Sequence, residues 1–191
     1  MPDRTHQFGL LRARGEKGST AAARVLERLA LEGGIVSPVT TRRGLNARLT
    51  YLTRSASGYQ AMREAGITVT SRTMRDWTRH TQTPSRANRA RIDVAYRAYR
   101  RHNVARHLLA RLNARGGTRV EIHPLDQSQV LNKYRRVLDF RRINIRRWDR
   151  IVAAWQAGDD AALADAWDET LPDLGSDWGK YEYVTAVAFS A

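Results

Sequence analysis

Between Ser71 and Arg79 the chain reads SRTMRDWTR, a run whose polar side chains are of the kinds that grip phosphates and base edges. Met74 and Trp77, three residues apart, would hold a short helix down on a core. Ser71, Arg72, Thr73, Arg75, Asp76, Thr78 and Arg79 are then left facing outward. A guanidinium is a planar fork that takes two phosphate oxygens, or the O6 and N7 of a guanine, at once, whereas an ammonium acts as a point charge. Hydroxyls reach phosphates and base edges alike. Arg86, Arg89 and Arg91, following Pro84, would clamp the flanking phosphates. The chemistry on offer is recognition of DNA, with no bond-making group among these residues.

Other chemistry finds little support. There is no cysteine, which excludes disulfides, zinc ribbons, iron–sulfur clusters and thiol nucleophiles. His6, His80, His102, His107 and His123 show no H-x-x-x-H spacing, so no metal is expected. Asp159, Asp160, Asp165 and Asp168 sit where helix starts favour acids anyway. The glycines form neither a P-loop nor a dinucleotide fingerprint, so no cofactor and no enzyme are expected. Trp148, Trp155, Trp167 and Trp178 gather late in the chain, where packing is the ordinary use of an indole.

The recognition residues need an element to present them, and residues 58–82 have the parts of a helix-turn-helix. Ala61, Met62 and Ala65 make the small inner face of a first helix over 59–65, Gly66 is the turn glycine, and Ile67 plugs the corner. Ile67, Thr68, Val69 and Thr70 separate that glycine from Ser71, so the turn is loose. The plainer alternative is that residues 44–112 form a basic helical bundle with a solvated charged face.

Around this element the sequence predicts a polar, mobile arm over 1–18. A helix capped by Ser19 or Thr20 then runs to Gly33–Gly34, and a linker with Pro38 covers 35–43. Leu45, Leu49 and Leu52 mark a helix across 44–55, interrupted by Ser57 and Gly58. Pro84 starts a long helix whose stripe holds Ile92, Ala95, Tyr96, Tyr99, Val104, Leu108 and Leu109, ended by Gly116–Gly117. Beyond it TRVEI, LDFRRINI and YEYVTAVAF alternate with period two, and DRIVAAWQAGDDAALADAWDETL is helical and packs through Trp155, Ala161, Leu163 and Trp167. The expected fold is mainly α with a small α+β C-terminal part: an arm and helix over 1–40, a helix-turn-helix domain over 41–115, and a short mixed sheet within 116–191.

Charge divides the same way. Of 191 residues, 33 are Lys or Arg and 19 Asp or Glu, a net of +14. Residues 61–150 hold 22 basic and 7 acidic groups, whereas residues 151–191 hold 1 and 8. Such a positive field drives phosphate binding by counterion release, and the acidic end reads as a folded cap or a partner-binding piece. The preference for arginine over lysine is also what GC-rich coding produces, but coding bias does not account for the net charge. No apolar run approaches the ~18 residues of a membrane span and the start has no apolar leader, so a soluble, cytoplasmic, nucleoid-associated protein is expected.

The run from Ala47 to Arg100 resembles the helix-turn-helix region of the terminal proteins that cap linear chromosomes and plasmids of actinobacteria. The likeness lies in Tyr51–Leu52, Gly58-x-x-Ala61, Gly66–Ile67, Arg72–Thr73 and Pro84 ahead of a basic helix. It implies binding to telomeric DNA, a telomere-binding helper protein and a DNA polymerase as partners, and a side-chain hydroxyl that accepts the first nucleotide; double-stranded DNA is the partner without it. Ser128, in HPLDQSQ, is the hydroxyl the resemblance points to, and a helix N-cap is its ordinary alternative. Two other readings share the DNA affinity. One is a phage or plasmid regulator or partition factor binding operator DNA as a homodimer; the other is an assembly protein that coats nucleic acid.

Overall fold

The computed structural model describes residues 11–191, apart from the side chains of residues 173, 176–178 and 180. The first ten residues of the expected arm, with His6, and the Trp178 indole lie outside the described residues. Among the described residues the chain runs β1 (Glu16–Lys17), α1 (Gly18–Leu31), α2 (Arg42–Leu52), α3 (Ala56–Glu64), α4 (Ser71–Thr78) and α5 (Arg86–Asn113). It continues through β2 (Thr118–Pro124), β3 (Arg141–Ile145), α6 (Asp149–Ala157), α7 (Asp160–Asp168) and β4 (Tyr183–Ala188). The fold is mainly helical with a small four-stranded sheet, as the patterning predicts. Two compact units divide it, residues 30–104 and residues 11–29 with 105–191, so the divisions expected at 40 and 115 fall elsewhere.

In the helical unit each helix opens on a hydroxyl that satisfies an otherwise orphaned backbone N–H. Thr41 accepts from the Gly44 N–H at 3.0 Å, Ser55 from Gly58 at 3.1 Å, Thr70 from Thr73 at 3.2 Å and Ser85 from Asn88 at 3.2 Å. Several boundaries differ from expectation: α2 opens at Arg42 and not at residue 44. Ser57 and Gly58 lie inside α3, the chain breaking instead at Thr53–Ser55, where Ser55 caps α3; a β-carbon on Gly58 would collide with the Leu52 carbonyl. The glycine is there for close approach to the end of α2. Pro84 is buried ahead of α5 and Ser85 caps it, so the helix starts at Arg86.

Leu45, Leu49 and Leu52 from α2, Ala61 and Met62 from α3, Ile67 from the turn, Met74 and Trp77 from α4 and Ile92, Ala95 and Tyr96 from α5 form one core. Each large side chain removed from water contributes about 1.5–3 kcal/mol. Tyr51 meets Tyr96 and Tyr99 with ring centroids 5.4 Å apart in both cases, and the Tyr96 hydroxyl accepts from the Ile35 N–H at 2.8 Å. That bond fixes the linker against α5.

In the other unit the sheet order is β1-β4-β2-β3, and every pairing is antiparallel where a mixed sheet is expected. Part of the expected arm belongs to it: Glu16 and Lys17 pair with Val184 and Tyr183, and Arg14 bridges to Asp126. Gly15 permits this, since a β-carbon would lie 2.5 Å from the Val184 carbonyl oxygen. The helix after it begins at Gly18, with Ser19 buried in its first turn and not capping it. Val120 and Ile122, Ile143 and Ile145, and Val184 and Val187 are buried, as their period of two predicts. Trp148, Trp155 and Trp167 are core residues of this unit, and the Trp148 indole donates to the Ile145 carbonyl at 3.1 Å. The acidic stretch forms two helices, broken where Gly158 adopts φ +70° and Asp159 caps α7 through the Ala162 N–H at 3.0 Å. Within it Trp155, Leu163 and Trp167 are buried as expected, whereas Ala161 is exposed and Ala166 packs in its place.

Candidate nucleic-acid interface

The α3–turn–α4 segment of the helical unit is built from the residues that predict it. Ala65 closes α3, Gly66 follows at φ +79° in the left-handed region, and the Ile67 N–H returns to the Met62 carbonyl at 2.9 Å. Ile67 is buried and Val69 partly so, which gives the loose turn its own hydrophobic anchor. Thr70 then caps α4, and Met74 and Trp77 seat it on the core.

Opposite those two side chains stand Arg72, Arg75 and Arg79, all exposed. Positions three and seven apart share a helix face, so the three guanidiniums form one stripe along α4. Arg75 donates through Nε to the Ser71 carbonyl at 3.3 Å, which lays its stem along the helix. Ser71 is exposed beside them. The remaining polar groups of α4 are half-buried and serve the helix itself. The Thr73 hydroxyl pairs with Thr70 at 3.0 Å, the Thr78 hydroxyl donates to the Arg75 carbonyl at 2.9 Å, and Asp76 accepts from the Thr81 hydroxyl at 3.4 Å.

Of the cations after α4, Arg86 is exposed at the start of α5. Arg91 reaches back to the turn, its Nε standing 3.6 Å from where a β-carbon on Gly66 would be, and it donates to Asn88 at 3.2 Å. Arg89 is half-buried, with its Nε enclosed and unpaired among the described residues.

Helix electrostatics add two residues that sequence reasoning missed. A helix N-terminus carries partial positive charge and ordinarily attracts acids. Here α2, α4 and α5 have no acid in the first turn and open on Arg42 and Arg43, Arg72, and Arg86 and Arg89. Each such cation is unfavourable by a few tenths of a kcal/mol or more, and an anion at the helix start reverses the sign. In the sheet unit, by contrast, α6 and α7 carry Asp149 and Asp160 in that turn. Arg42 and Arg43 escaped notice because their helix was expected to begin at residue 44; Thr41 as a cap was the available signal.

One arginine is withdrawn from the binding face. Arg48 is 5% exposed and donates to Asp93 at 2.7 Å, to the Ser37 carbonyl at 2.7 Å and to the Gly44 carbonyl at 3.0 Å. Its guanidinium lies 5.1 Å from the Tyr96 ring centre. Arg48 is structural.

In the sheet unit Ser128 is exposed on the loop after β2. No α-helix begins at it, so it is not an N-cap; a short 3-10 turn at Asn132–Tyr134 comes next. Its backbone N–H donates to the Asp126 carboxylate at 2.8 Å, and that bond, then the Ser128 hydroxyl, holds the Asp126 carboxyl below its usual range. Among the described residues no three His, Cys, Asp or Glu side chains gather as a metal site, and no helix is long and apolar enough to cross a membrane. Comparison with protein-family models, curated proteins and solved structures finds no match to this chain.

Proposed function

We propose that the helical unit is a DNA-binding module that lays α4 in the major groove of a duplex. The observation that carries this reading is the stripe of Arg72, Arg75 and Arg79 directly opposite the Met74–Trp77 anchor. An anchored short helix with a guanidinium face has the form that reads base edges, and the basic starts of α2 and α5 supply phosphate contacts at its flanks. The unit holds fourteen arginines, no lysine and four acids, which favours duplex binding with steep salt dependence.

Selection of duplexes from a random pool tests it. Arg72→Ala with Arg75→Ala is expected to weaken binding to the selected sequence by about 1–3 kcal/mol for each guanidinium that reads a base edge. Unchanged affinity for the same sequence would remove α4 from the interface. Two half-sites about one helical turn apart would identify a homodimeric regulator.

The narrower form of the reading is a terminal protein that primes replication of a linear replicon. What favours it is the exposed Ser128 hydroxyl beside the Asp126 carboxylate. Ser128 Oγ would attack the α-phosphate of a deoxynucleoside triphosphate held by a polymerase, giving up its proton to solvent and breaking the α–β phosphoanhydride bond, so that pyrophosphate leaves and a phosphodiester remains on the serine. Labelled deoxynucleotide should then be retained on the wild-type chain and lost in Ser128→Ala. Equal labelling of both excludes Ser128 as the acceptor.

A further inference from the structure

The sheet unit carries a second surface that duplex reading does not use. Over residues 131–142 the chain leaves Leu131, Tyr134, Val137 and Phe140 exposed at every third position, at 65%, 48%, 84% and 38% of their surface. Lys133, Arg135, Arg136, Arg141 and Arg142 are interleaved with them, against Asp139 within the segment and Glu121 of β2, which accepts from Arg142 at 3.0 Å. Two exposed rings beside a run of cations match a partner that is both anionic and flat-faced.

The segment is exposed, yet its backbone is fastened. Gln127 donates to the Arg136 carbonyl at 2.9 Å and accepts from the Arg136 N–H at 2.8 Å. Arg135 donates to the Val130 and Ser128 carbonyls at 2.8 and 2.9 Å, and the Tyr181 hydroxyl to the Asp139 carbonyl at 2.8 Å. A surface held this way does not have to be ordered on binding, which lowers the entropic cost of association.

The rings are already set among cations. Lys133 Nζ stands 4.8 Å from the Tyr134 ring centre and the Arg142 guanidinium 4.8 Å from that of Phe140. His123 of β2 lies 5.0 Å from Phe140, ring to ring. A shallow groove of about 510 Å³, lined by Leu131, Lys133 and Arg135 among others, opens at the start of the same segment. Aromatic faces along a basic track are how single strands are held, since unpaired bases stack on the rings while cations follow the phosphates. A duplex keeps its base faces inside the stack and offers the rings nothing.

We infer that residues 131–142, with His123, form a binding surface for single-stranded DNA, on which bases stack against Tyr134 and Phe140 and phosphates meet Lys133 and Arg136. The choice of DNA over RNA rests on the reading of the helical unit as a DNA module; the single-strand chemistry does not.

Fluorescence anisotropy of the full chain with a labelled oligothymidylate of about 16 nucleotides tests it. Tyr134→Leu with Phe140→Leu removes the rings at exposed positions and is expected to weaken oligothymidylate binding about tenfold per ring while leaving duplex affinity and the urea midpoint unchanged. Arg72→Ala with Arg75→Ala should do the opposite, losing duplex and keeping oligothymidylate. Failure of the duplex reading alone thus leaves the ring effect intact. Wild-type affinity for oligothymidylate in the ring variant overturns the inference, as does equal loss of duplex and single-strand binding. Tighter binding of oligouridylate than of oligothymidylate overturns the assignment to DNA.

Discussion

Arg48 sits among the Ser37 and Gly44 carbonyls, the Asp93 carboxylate and the Tyr96 ring, so its charge is fully answered inside the fold. Arg72 and Arg79 have no such enclosure and face outward. Removing the partner of an enclosed charge is costlier than removing an exposed one, because water cannot freely replace the lost acceptor. Asp93→Ala leaves Arg48 with the two carbonyls and should destabilise the chain by about 1.5–3 kcal/mol in urea unfolding, whereas Arg79→Ala should move it by less than about 0.5 kcal/mol. Asp168 makes a converse case. Burial, and then the neighbouring Glu182, push its carboxyl above the usual range, with Lys17 pulling the other way. The folded chain binds that proton more tightly than the unfolded chain does, so the ionised group opposes folding above the folded pKa and ceases to do so as pH falls through it. Asp168→Asn should raise Tm at pH 7, with the gain shrinking towards about pH 4. A gain independent of pH would contradict this electrostatic origin. None of these distinctions was legible in the sequence, where Arg48 and Arg72 are one letter and burial is a property of the tertiary partners.

At the scale of elements, α4 is held by a glycine turn, a buried isoleucine and a hydroxyl cap. Gly66→Ala places a β-carbon at φ +79° without a steric collision, so the cost is backbone strain of about 1–2 kcal/mol. Thr70→Val removes the acceptor for the Thr73 N–H and should cost about 1 kcal/mol. Both should show as faster amide exchange confined to α4 before global stability falls. Met74, Trp77, Gly66 and Ile67 made this element legible, because anchor, turn and plug are each a residue type at a fixed spacing. Gly58 misled for the opposite reason: its helix propensity is poor, but it is there for close approach to the Leu52 carbonyl. Likewise β1, two residues long, is too short to display a period, and only its partners Tyr183 and Val184 make it a strand.

For the whole molecule, the charge map drawn from the sequence separates a basic middle from an acidic end, and that acidic end is folded around Trp155 and Trp167. What the map could not show is that residues 11–29 fold with the C-terminal half, since that depends on the strand pairing of Glu16 and Lys17 with β4. It also merges Arg48, taken up by Asp93, with arginines that remain outward. The decisive measurement is duplex affinity against salt concentration for the wild-type chain and for Arg72→Ala/Arg75→Ala/Arg79→Ala. Binding by the variant should be weaker, with a log–log slope shallower by roughly one for each phosphate no longer neutralised, at unchanged urea midpoint. Superimposable salt curves for the two proteins would contradict it.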